Sequence, residues 1–372
     1  MIRLAIPNIQ DDDCEAVEQS LRSGNLVQGQ RVEEFERAFA QYVGVSHAIA
    51  VSNCTAALHL SLLALDIQPG DAVAVTSYSW ISTANVIELC GAKPVFVDIE
   101  SDTYTMSTVG LQQALDQCPS IKAILPVHAF GQMADMDAIN KQALVRNIPV
   151  IEDAACALGS TYRSRQAGSL SKAGCFSFHP RKAITTGEGG MVTTDDDVFA
   201  RRIRALRNHG IDPSSPVIDF IMPGLNYRLT EFQAALGSTQ LARFDRSLRA
   251  RKLLAHRYDS ILAGSVVETQ KNRLDQESSY QSYVVLIPPR LASLRGQCID
   301  YMRGKGIQVT LGTYHMPLTT FFRSKYGYKP GDFPITDEIS SRALALPFYE
   351  ELTVEDQARV IETLLTWVAD HE

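Results

Sequence analysis

The sequence lacks several features that would assign it to a simple class of protein. Its 372 residues include seven cysteines, an odd number without Cys-x-x-Cys spacing, which argues against a disulfide framework or a zinc site. No apolar run reaches the roughly 18 residues that a membrane helix needs, and the N-terminus carries no apolar secretory segment. Internal repeats and low-complexity segments are also absent. These absences predict a protein of the reducing cytoplasm that holds neither a metal nor a membrane partner.

An excess of positive charge is missing as well. Lysine and arginine number 35 against 42 aspartates and glutamates, so the formal net charge is -7. Because a general nucleic-acid-binding surface needs the opposite balance, we expect no nucleic-acid partner. Hydrophobic residues make up 45% and charged residues 21%, which is typical of a globular protein with a full core.

Short apolar segments alternate with helical patterns in the first half of the chain. The strand-like segments are residues 46–52, 72–76, 94–98, 122–127 and 149–153. This alternation predicts an α/β fold with a largely parallel sheet covered on both faces. In such folds, ligands bind at the carboxyl ends of the strands.

The second half of the chain has a different pattern. Residues 230–262 are predicted to form one long helix, weakly interrupted by Gly237 and capped by Thr230. Strands at 282–287 and 308–310 and helices at 294–305 and 354–368 follow it. We therefore predict a large domain of residues 1–250 and a small α+β C-terminal domain of residues 251–372.

Lys182 lies in a polar, glycine-rich turn after the strand-like segment 174–178. A desolvated lysine, or one held near other cations, is a nucleophile that forms a Schiff base with an aldehyde. Asp153 ends another apolar strand, where a buried acid is costly unless it has a partner. A lysine and a carboxylate for a pyridinium nitrogen are what a protein contributes to a pyridoxal phosphate (PLP) site. The alternatives are a surface lysine and an acid that caps the next helix.

Three further segments are candidates for holding the rest of such a cofactor. Residues 52–57 join a strand to a helix N-terminus, which favours a phosphate; a plain helix cap by Asn53 or Thr55 is the alternative. Ser177 can add a hydroxyl to the same phosphate or be an ordinary strand serine. Trp80 follows a strand end, where its ring either stacks on a pyridine ring or packs in the core.

Two conspicuous motifs are assigned no ligand. Residues 187–190 lack the spacing of a dinucleotide-binding loop. The run Asp11, Asp12 and Asp13 is best explained as an acidic first turn of a helix.

Several segments in the correct order resemble the DegT/DnrJ/EryC1/StrS family of PLP-dependent sugar aminotransferases. They are residues 24–35, 50–58, 126–131, 151–159, 177–190 and 224–228. The resemblance spans nearly the whole chain. It implies the PLP-dependent transferase fold type I, with a mainly parallel seven-stranded sheet, and a homodimer with shared active sites.

The resemblance also implies a role for individual residues. Lys182 becomes the residue that carries PLP and moves the proton, and Asp153 the partner of the pyridine nitrogen. Trp80 takes the stacking position. The implied phosphate ligands are Cys54, Thr55, Ser177 and, from the other subunit, Asn226. Arg228 either supports an anionic substrate group or is a structural interface arginine.

The chain departs from the family pattern at two positions. Cys156 stands where the family has glutamine or histidine, and a thiol is a weaker hydrogen-bond donor to the cofactor. Thr319 stands where a substrate loop often has a second histidine. His315 of the same loop either contacts substrate or is a packed loop histidine.

The resemblance implies transfer of an amino group from L-glutamate to a nucleotide-linked keto-deoxyhexose, with a 4-keto-6-deoxy sugar favoured. The product would be an amino sugar for a surface polysaccharide, such as lipopolysaccharide O-antigen, or for a glycoconjugate. Alternative substrates are a keto-cyclitol and a keto sugar without a nucleotide. A PLP-dependent sugar dehydratase is disfavoured, because such relatives carry histidine at the position of Lys182.

Overall fold

The fold is taken from a computed structural model that describes residues 1–371. The helices are α1 (Asp11–Arg22), α2 (Gln30–Val43), α3 (Cys54–Ala64), α4 (Ser82–Leu89), α5 (Thr108–Gln117), α6 (Met136–Arg146), α7 (Asp197–Arg207), α8 (Glu231–Ala242), α9 (Phe244–Leu262), α10 (Arg295–Gly304), α11 (Thr320–Tyr326), α12 (Pro334–Arg342) and α13 (Val354–Asp370). Of the helices in this range, none is both long and apolar enough to span a bilayer.

The longer strands lie between these helices, and short pairs occur in the connections. The strands are β1 (His47–Val51), β2 (Ala72–Thr76), β3 (Tyr78–Ser79), β4 (Lys93–Val97), β5 (Ile121–Leu125), β6 (Ile151–Asp153), β7 (Thr161–Tyr162), β8 (Arg165–Gln166), β9 (Ala173–Ser177), β10 (Gly190–Thr194), β11 (Glu268–Thr269), β12 (Gln276–Glu277), β13 (Tyr283–Leu286), β14 (Thr310–Leu311), β15 (Tyr314–His315) and β16 (Ala343–Leu346).

The large sheet consists of two hydrogen-bonded groups, in the orders β4-β2-β5 and β6-β9-β10-β1. Pairing is parallel throughout except around β10, which runs antiparallel to both neighbours. The amide of Asp153 donates to the carbonyl of Pro126 at 2.9 Å, and that of Ile124 to Pro149 at 3.0 Å. These bonds join β5 to the chain around β6. The mainly parallel pairing agrees with the prediction, but the strands form a three-stranded and a four-stranded group, so a single seven-stranded sheet stays a prediction.

Helices cover both faces of this sheet. In β2, Ala72 and Ala74 belong to one apolar core while Val73 and Val75 belong to another, because successive side chains of a strand point to opposite faces. Helices α2, α5, α6 and α8 contribute to the first core, and α3, α4 and α7 to the second. The sheet is thus buried on both sides, which explains why its strands are almost continuously apolar.

A second sheet is built from the C-terminal part of the chain, in the order β11-β13-β16-β14. All its strands pair antiparallel, and α9, α10 and α13 pack on it. Ile2 joins this core, and its amide donates to the carbonyl of Gly306 at 2.8 Å. The predicted boundary after residue 250 falls inside α9 and stays a prediction.

The predicted single helix over residues 230–262 is wrong, because two helices meet at Arg243. That residue has φ −106° and ψ 5°, outside the helical range, whereas α8 passes through Gly237 without interruption. The Arg243 guanidinium donates to Asp13 Oδ1 at 2.8 Å. Asp13 is fully buried in the first turn of α1, so the acidic run is a helix start with a buried ion pair. Farther along, β14 begins at Thr310, two residues later than predicted.

Candidate active site

Lys182 lies in the loop that connects two antiparallel neighbours, β9 and β10. The base of the loop is closed by the pairing of Ser177 with Gly190. Within it, the amide of Lys182 donates to the carbonyl of His179 at 2.8 Å. The Lys182 amine lies 3.0 Å from the sulfur of Cys156. The loop therefore turns the lysine back over the ends of the parallel strands.

The charge state of Lys182 depends on its neighbours. Burial lowers the pKa of the amine, but Cys156, Cys54 and Asp153 raise it, and the net direction is upward. We expected an amine activated by desolvation or by other cations. In the protein alone, these neighbours together outweigh desolvation and favour the ammonium form.

Asp153 ends β6 and is 3% exposed. One carboxylate oxygen accepts from the Thr83 hydroxyl at 2.7 Å and the other from the Ala155 amide at 3.1 Å. Burial raises the pKa of Asp153, while the bonds from Thr83 and Ala155 and the charge of Lys182 oppose the shift. A buried carboxylate in this condition gains from a cationic partner.

The N-terminus of α3 lies against the base of the lysine loop. Asn53 is the N-cap, and its side chain accepts from the Ala56 amide at 2.8 Å, so the predicted capping alternative is present. The Thr55 hydroxyl donates to the Ser82 hydroxyl at 3.0 Å. Cys54 is buried, and burial raises the pKa of its thiol well above the ordinary value. The helix dipole therefore favours an anion here without a competing thiolate, and the Thr55 hydroxyl would have to turn from Ser82 to join it.

The Trp80 side chain is exposed rather than packed in the core. It is 60% exposed, and its ring meets that of Tyr314 edge-on, with centroids 5.5 Å apart. The Thr83 hydroxyl oxygen, whose proton goes to Asp153, also lies 3.2 Å from the Trp80 carbonyl, so the backbone of Trp80 is close to the residue that holds Asp153. Ser177 accepts a long bond of 3.4 Å from the His179 amide. Stacking by Trp80 and phosphate binding by Ser177 stay predictions.

The segment of Asn226 and Arg228 lies beside the start of α3, where the Ser52 amide donates to the Tyr227 carbonyl at 2.8 Å. Asn226 is exposed, while Arg228 donates to the side chain of Asn208. Within residues 1–371, no hydrogen bond or ion pair joins either side chain to Lys182 or Asp153. The predicted contact of Asn226 with the phosphate in a second subunit stays a prediction, and so does that of Arg228 with an anionic substrate group.

His315 lies in β15, which pairs with β3 just before Trp80. Its side chain is 9% exposed, and its Nε2 is 3.0 Å from the carboxylate of Asp337. Burial lowers the pKa of His315, and Asp337 opposes the shift. This environment favours the packed alternative, and substrate contact stays a prediction.

Sequence reasoning missed the residues that support Asp153. Thr83 was assigned no role, although a hydroxyl in the first turn of a helix after a strand end is a usable signal. His128 and Glu152 are both fully buried and lie 3.0 Å apart. Glu152 also accepts from the amides of Gly168 and Leu170 at 2.9 Å each. This buried network fixes the strand end that carries Asp153.

The residues gathered here fit PLP. The buried Asp153 carboxylate suits a pyridinium nitrogen, the Lys182 amine an aldehyde, and the start of α3 a phosphate. Fold and site together define an enzyme of the PLP-dependent class.

Comparison with known proteins agrees with this class. The model of the DegT/DnrJ/EryC1/StrS aminotransferase family matches residues 7–365. The chain is 40% identical to GDP-perosamine synthase of Caulobacter vibrioides over 338 residues, 90% of each chain. It is 36% identical to the spore coat polysaccharide biosynthesis protein SpsC of Bacillus subtilis, over 97% of this chain and 95% of the other. The PLP form of the putative sugar aminotransferase Spr1654 from Streptococcus pneumoniae superposes with a TM-score of 0.94 at 29% identity, covering 99% of this chain and 98% of that one.

The chain belongs to the DegT/DnrJ/EryC1/StrS aminotransferase family. It is a sugar aminotransferase whose cofactor is PLP, and the predicted family, fold type and cofactor are confirmed.

Proposed function

We propose that the enzyme transfers the amino group of L-glutamate to a nucleotide-linked 4-keto-6-deoxyhexose. The likeness to GDP-perosamine synthase over 90% of both chains supports a nucleotide-linked sugar. The likeness to SpsC supports a role in making a surface polysaccharide or glycoconjugate, such as an O-antigen. All seven cysteines are free, which suits the reducing cytoplasm where nucleotide sugars are made.

Bound PLP supplies an aldehyde that bonds amines and a ring that takes up electrons from the reacting carbon. Lys182 holds the cofactor by its amine. When free, that amine would take the proton from the donor's α-carbon and deliver it to the carbon that had been the cofactor's aldehyde. The same amine works in reverse on the keto sugar. Its position in the loop between β9 and β10, beside Cys156, suits one group that serves both directions.

Asp153 would keep a proton on the ring nitrogen, because a buried carboxylate gains from a cationic partner. The Thr83 and Ala155 bonds orient its two oxygens. The start of α3 with Thr55, together with Ser177, would hold the phosphate, and Trp80 would cover the ring. Asn226 of a second copy of the chain would complete the phosphate site in a homodimer.

One observation carries the proposal: the Lys182 amine lies 3.0 Å from the sulfur of Cys156, three residues after the buried Asp153 carboxylate, so an amine and a buried acid share one site. Asp153 raises the pKa of Lys182, and Lys182 lowers that of Asp153. A dehydratase of this fold would have histidine in place of Lys182. The lysine therefore supports transamination over dehydration.

The test is a mass-spectrometric screen of nucleotide-linked keto sugars incubated with PLP, L-glutamate and the enzyme. We expect one sugar to gain the mass change of ketone to amine while 2-oxoglutarate accumulates in equal amount. Lys182→Ala should lose the visible absorbance of lysine-bound PLP and at least about 10³-fold in turnover. Amination of only a keto-cyclitol or a free keto sugar would contradict the proposed substrate. A Lys182→Ala protein that keeps the absorbance would contradict the role of the lysine.

A further inference from the structure

A short segment of the C-terminal part, residues 278–282, touches both neighbours of the catalytic lysine. The side-chain amide of Gln281 donates to the carbonyl of Arg181 at 2.8 Å. The hydroxyl of Ser279 donates to the carbonyl of Cys156 at 3.3 Å. Arg181 directly precedes Lys182, and the sulfur of Cys156 lies 3.0 Å from its amine. The 278–282 segment thus contacts the backbone next to Lys182 and also the residue whose sulfur lies beside the Lys182 amine.

The 278–282 segment packs tightly against the loops at Gly131 and Ser160, beyond the strands of the large sheet. A side chain at Gly131 would come within 2.8 Å of the Ser279 hydroxyl and 2.9 Å of the Tyr280 amide. The Ser160 hydroxyl donates to the Gly131 carbonyl at 2.6 Å, and the Ser279 amide donates to that hydroxyl at 3.1 Å. These contacts fix the distance between the segment and the strand ends.

Arg251 of α9 holds the segment from the other side. It is 5% exposed, yet its guanidinium donates to the carbonyls of Tyr280, at 3.3 Å, and Gln281, at 2.8 Å. Its charge also lies 5.1 Å from the ring centre of Phe348. Burial lowers the pKa of Arg251 to about 10, opposed only by Glu350. Burying a guanidinium is costly unless its donors are hydrogen-bonded, and here the carbonyls of the segment accept from it.

The backbone of the segment is itself held in an unfavourable conformation. Tyr280 has φ 48°, in the left-handed region that a bulky residue seldom adopts. Such conformations persist only where surrounding contacts enforce them, and they cluster at functional sites. Here the enforcing contacts come from Arg251 on one side and from the Gly131 turn on the other.

We infer that the 278–282 segment is a positioning element for Lys182, with Gln281 holding the lysine loop and Arg251 holding the segment. The inference rests on the proposed role of Lys182. The segment is coupled most directly to the reactive amine by the hydrogen bond from Gln281 to Arg181, beside the contact of Ser279 with Cys156. Loss of that bond leaves the fold in place but lets the loop that presents the amine move.

The experiment compares Gln281→Met with the wild type by titrating apo-protein with PLP and by measuring melting temperatures with and without PLP. Methionine keeps the length of glutamine and removes its donor. We expect about a three- to tenfold rise in the PLP dissociation constant, the effect of one hydrogen bond. The apo melting temperature should stay unchanged while the increment produced by PLP shrinks.

The matched control is Gln297→Met, at an exposed glutamine of α10, which should behave like the wild type. Arg251→Lys keeps the charge with fewer donors, and it should also weaken PLP binding, whereas exposed Arg249→Met should not. Unchanged PLP affinity in Gln281→Met, or an equal fall of apo and holo melting temperatures, would overturn the inference. Lys182→Ala separates the two hypotheses: if it retains the visible absorbance, the proposed role of Lys182 fails whatever Gln281→Met shows.

Discussion

Asp153 and Lys182 face the same site, but they are held by different parts of the molecule. Asp153 ends a buried strand, and its backbone amide donates to the Pro126 carbonyl at 2.9 Å while Thr83 orients its carboxylate at 2.7 Å. Lys182 lies in a loop between β9 and β10, and its supports, Cys156 and Gln281, come from other segments. Asp153 is fixed by the strand that it ends, whereas the position of the Lys182 amine depends on side chains from other segments.

This difference suits the two proposed tasks. A carboxylate that stabilises one ring nitrogen throughout the cycle gains from rigidity. An amine that is displaced and returns twice in each cycle needs a loop that can move and then settle in the same place. The comparison predicts that substitutions near Asp153 change the charge of its carboxylate. Substitutions near Lys182 should change the position and the reactivity of its amine.

Apart from loss of Lys182 itself, the largest effect is expected from Asp153→Asn. Turnover should fall by about 10²- to 10⁴-fold, because a neutral side chain no longer keeps the ring nitrogen protonated. Steady-state kinetics on the sugar found in the screen would measure this. Asp300→Asn, at an exposed aspartate of α10, serves as the control.

The same variant should make the apo-protein more stable at neutral pH. The folded-state pKa of Asp153 is raised, so its ionisation destabilises the fold as pH rises through that pKa. The gain of Asp153→Asn over wild type should therefore vanish below the ordinary pKa range of aspartate. Denaturant unfolding of both apo-proteins over this pH range measures it, and a less stable variant at every pH would contradict the assignment.

An intermediate effect is expected from Thr83→Val. Removing the hydroxyl takes away a bond that lowers the pKa of Asp153, so this pKa rises further. Apo-protein titrated with PLP should lose affinity on acidification at a higher pH than wild type, with a loss of about tenfold near neutrality. Thr366→Val, at an exposed threonine of α13, should leave the profile in place. An unshifted profile in Thr83→Val would show that Asp153 does not depend on this bond.

The smallest effect is expected from Cys156→Ala. Cys156 raises the pKa of Lys182 in the apo-protein, so its removal should increase the neutral amine fraction. PLP capture near neutral pH should become about two- to tenfold faster, and its pH dependence should move to lower pH. Stopped-flow absorbance measures this, with exposed Cys14→Ala as the control. Slower capture would mean that Cys156 guides the amine rather than holding its proton.

The different supports also explain what could be predicted from the sequence. Asp153 and Lys182 were located because alternating apolar segments mark strand ends, and strand ends are where α/β folds bind ligands. Gln281 gave no such signal, because its partner Arg181 becomes a neighbour only when the C-terminal part packs beside the lysine loop. Arg251 gave none because its partner Tyr280 lies 29 residues farther along the chain. The break at Arg243 was missed for the same reason: its buried partner Asp13 is far away in sequence.

The junction of the lysine loop with α3 restricts how this enzyme can be redesigned. A side chain at Gly190 would come within 2.5 Å of the Asn53 carbonyl carbon and 2.7 Å of the Cys54 nitrogen. Any larger residue there would displace the start of α3 and the base of the loop together. A mutant library aimed at new sugars should therefore keep position 190 constant and place its diversity around Tyr314, where the chain surface is open.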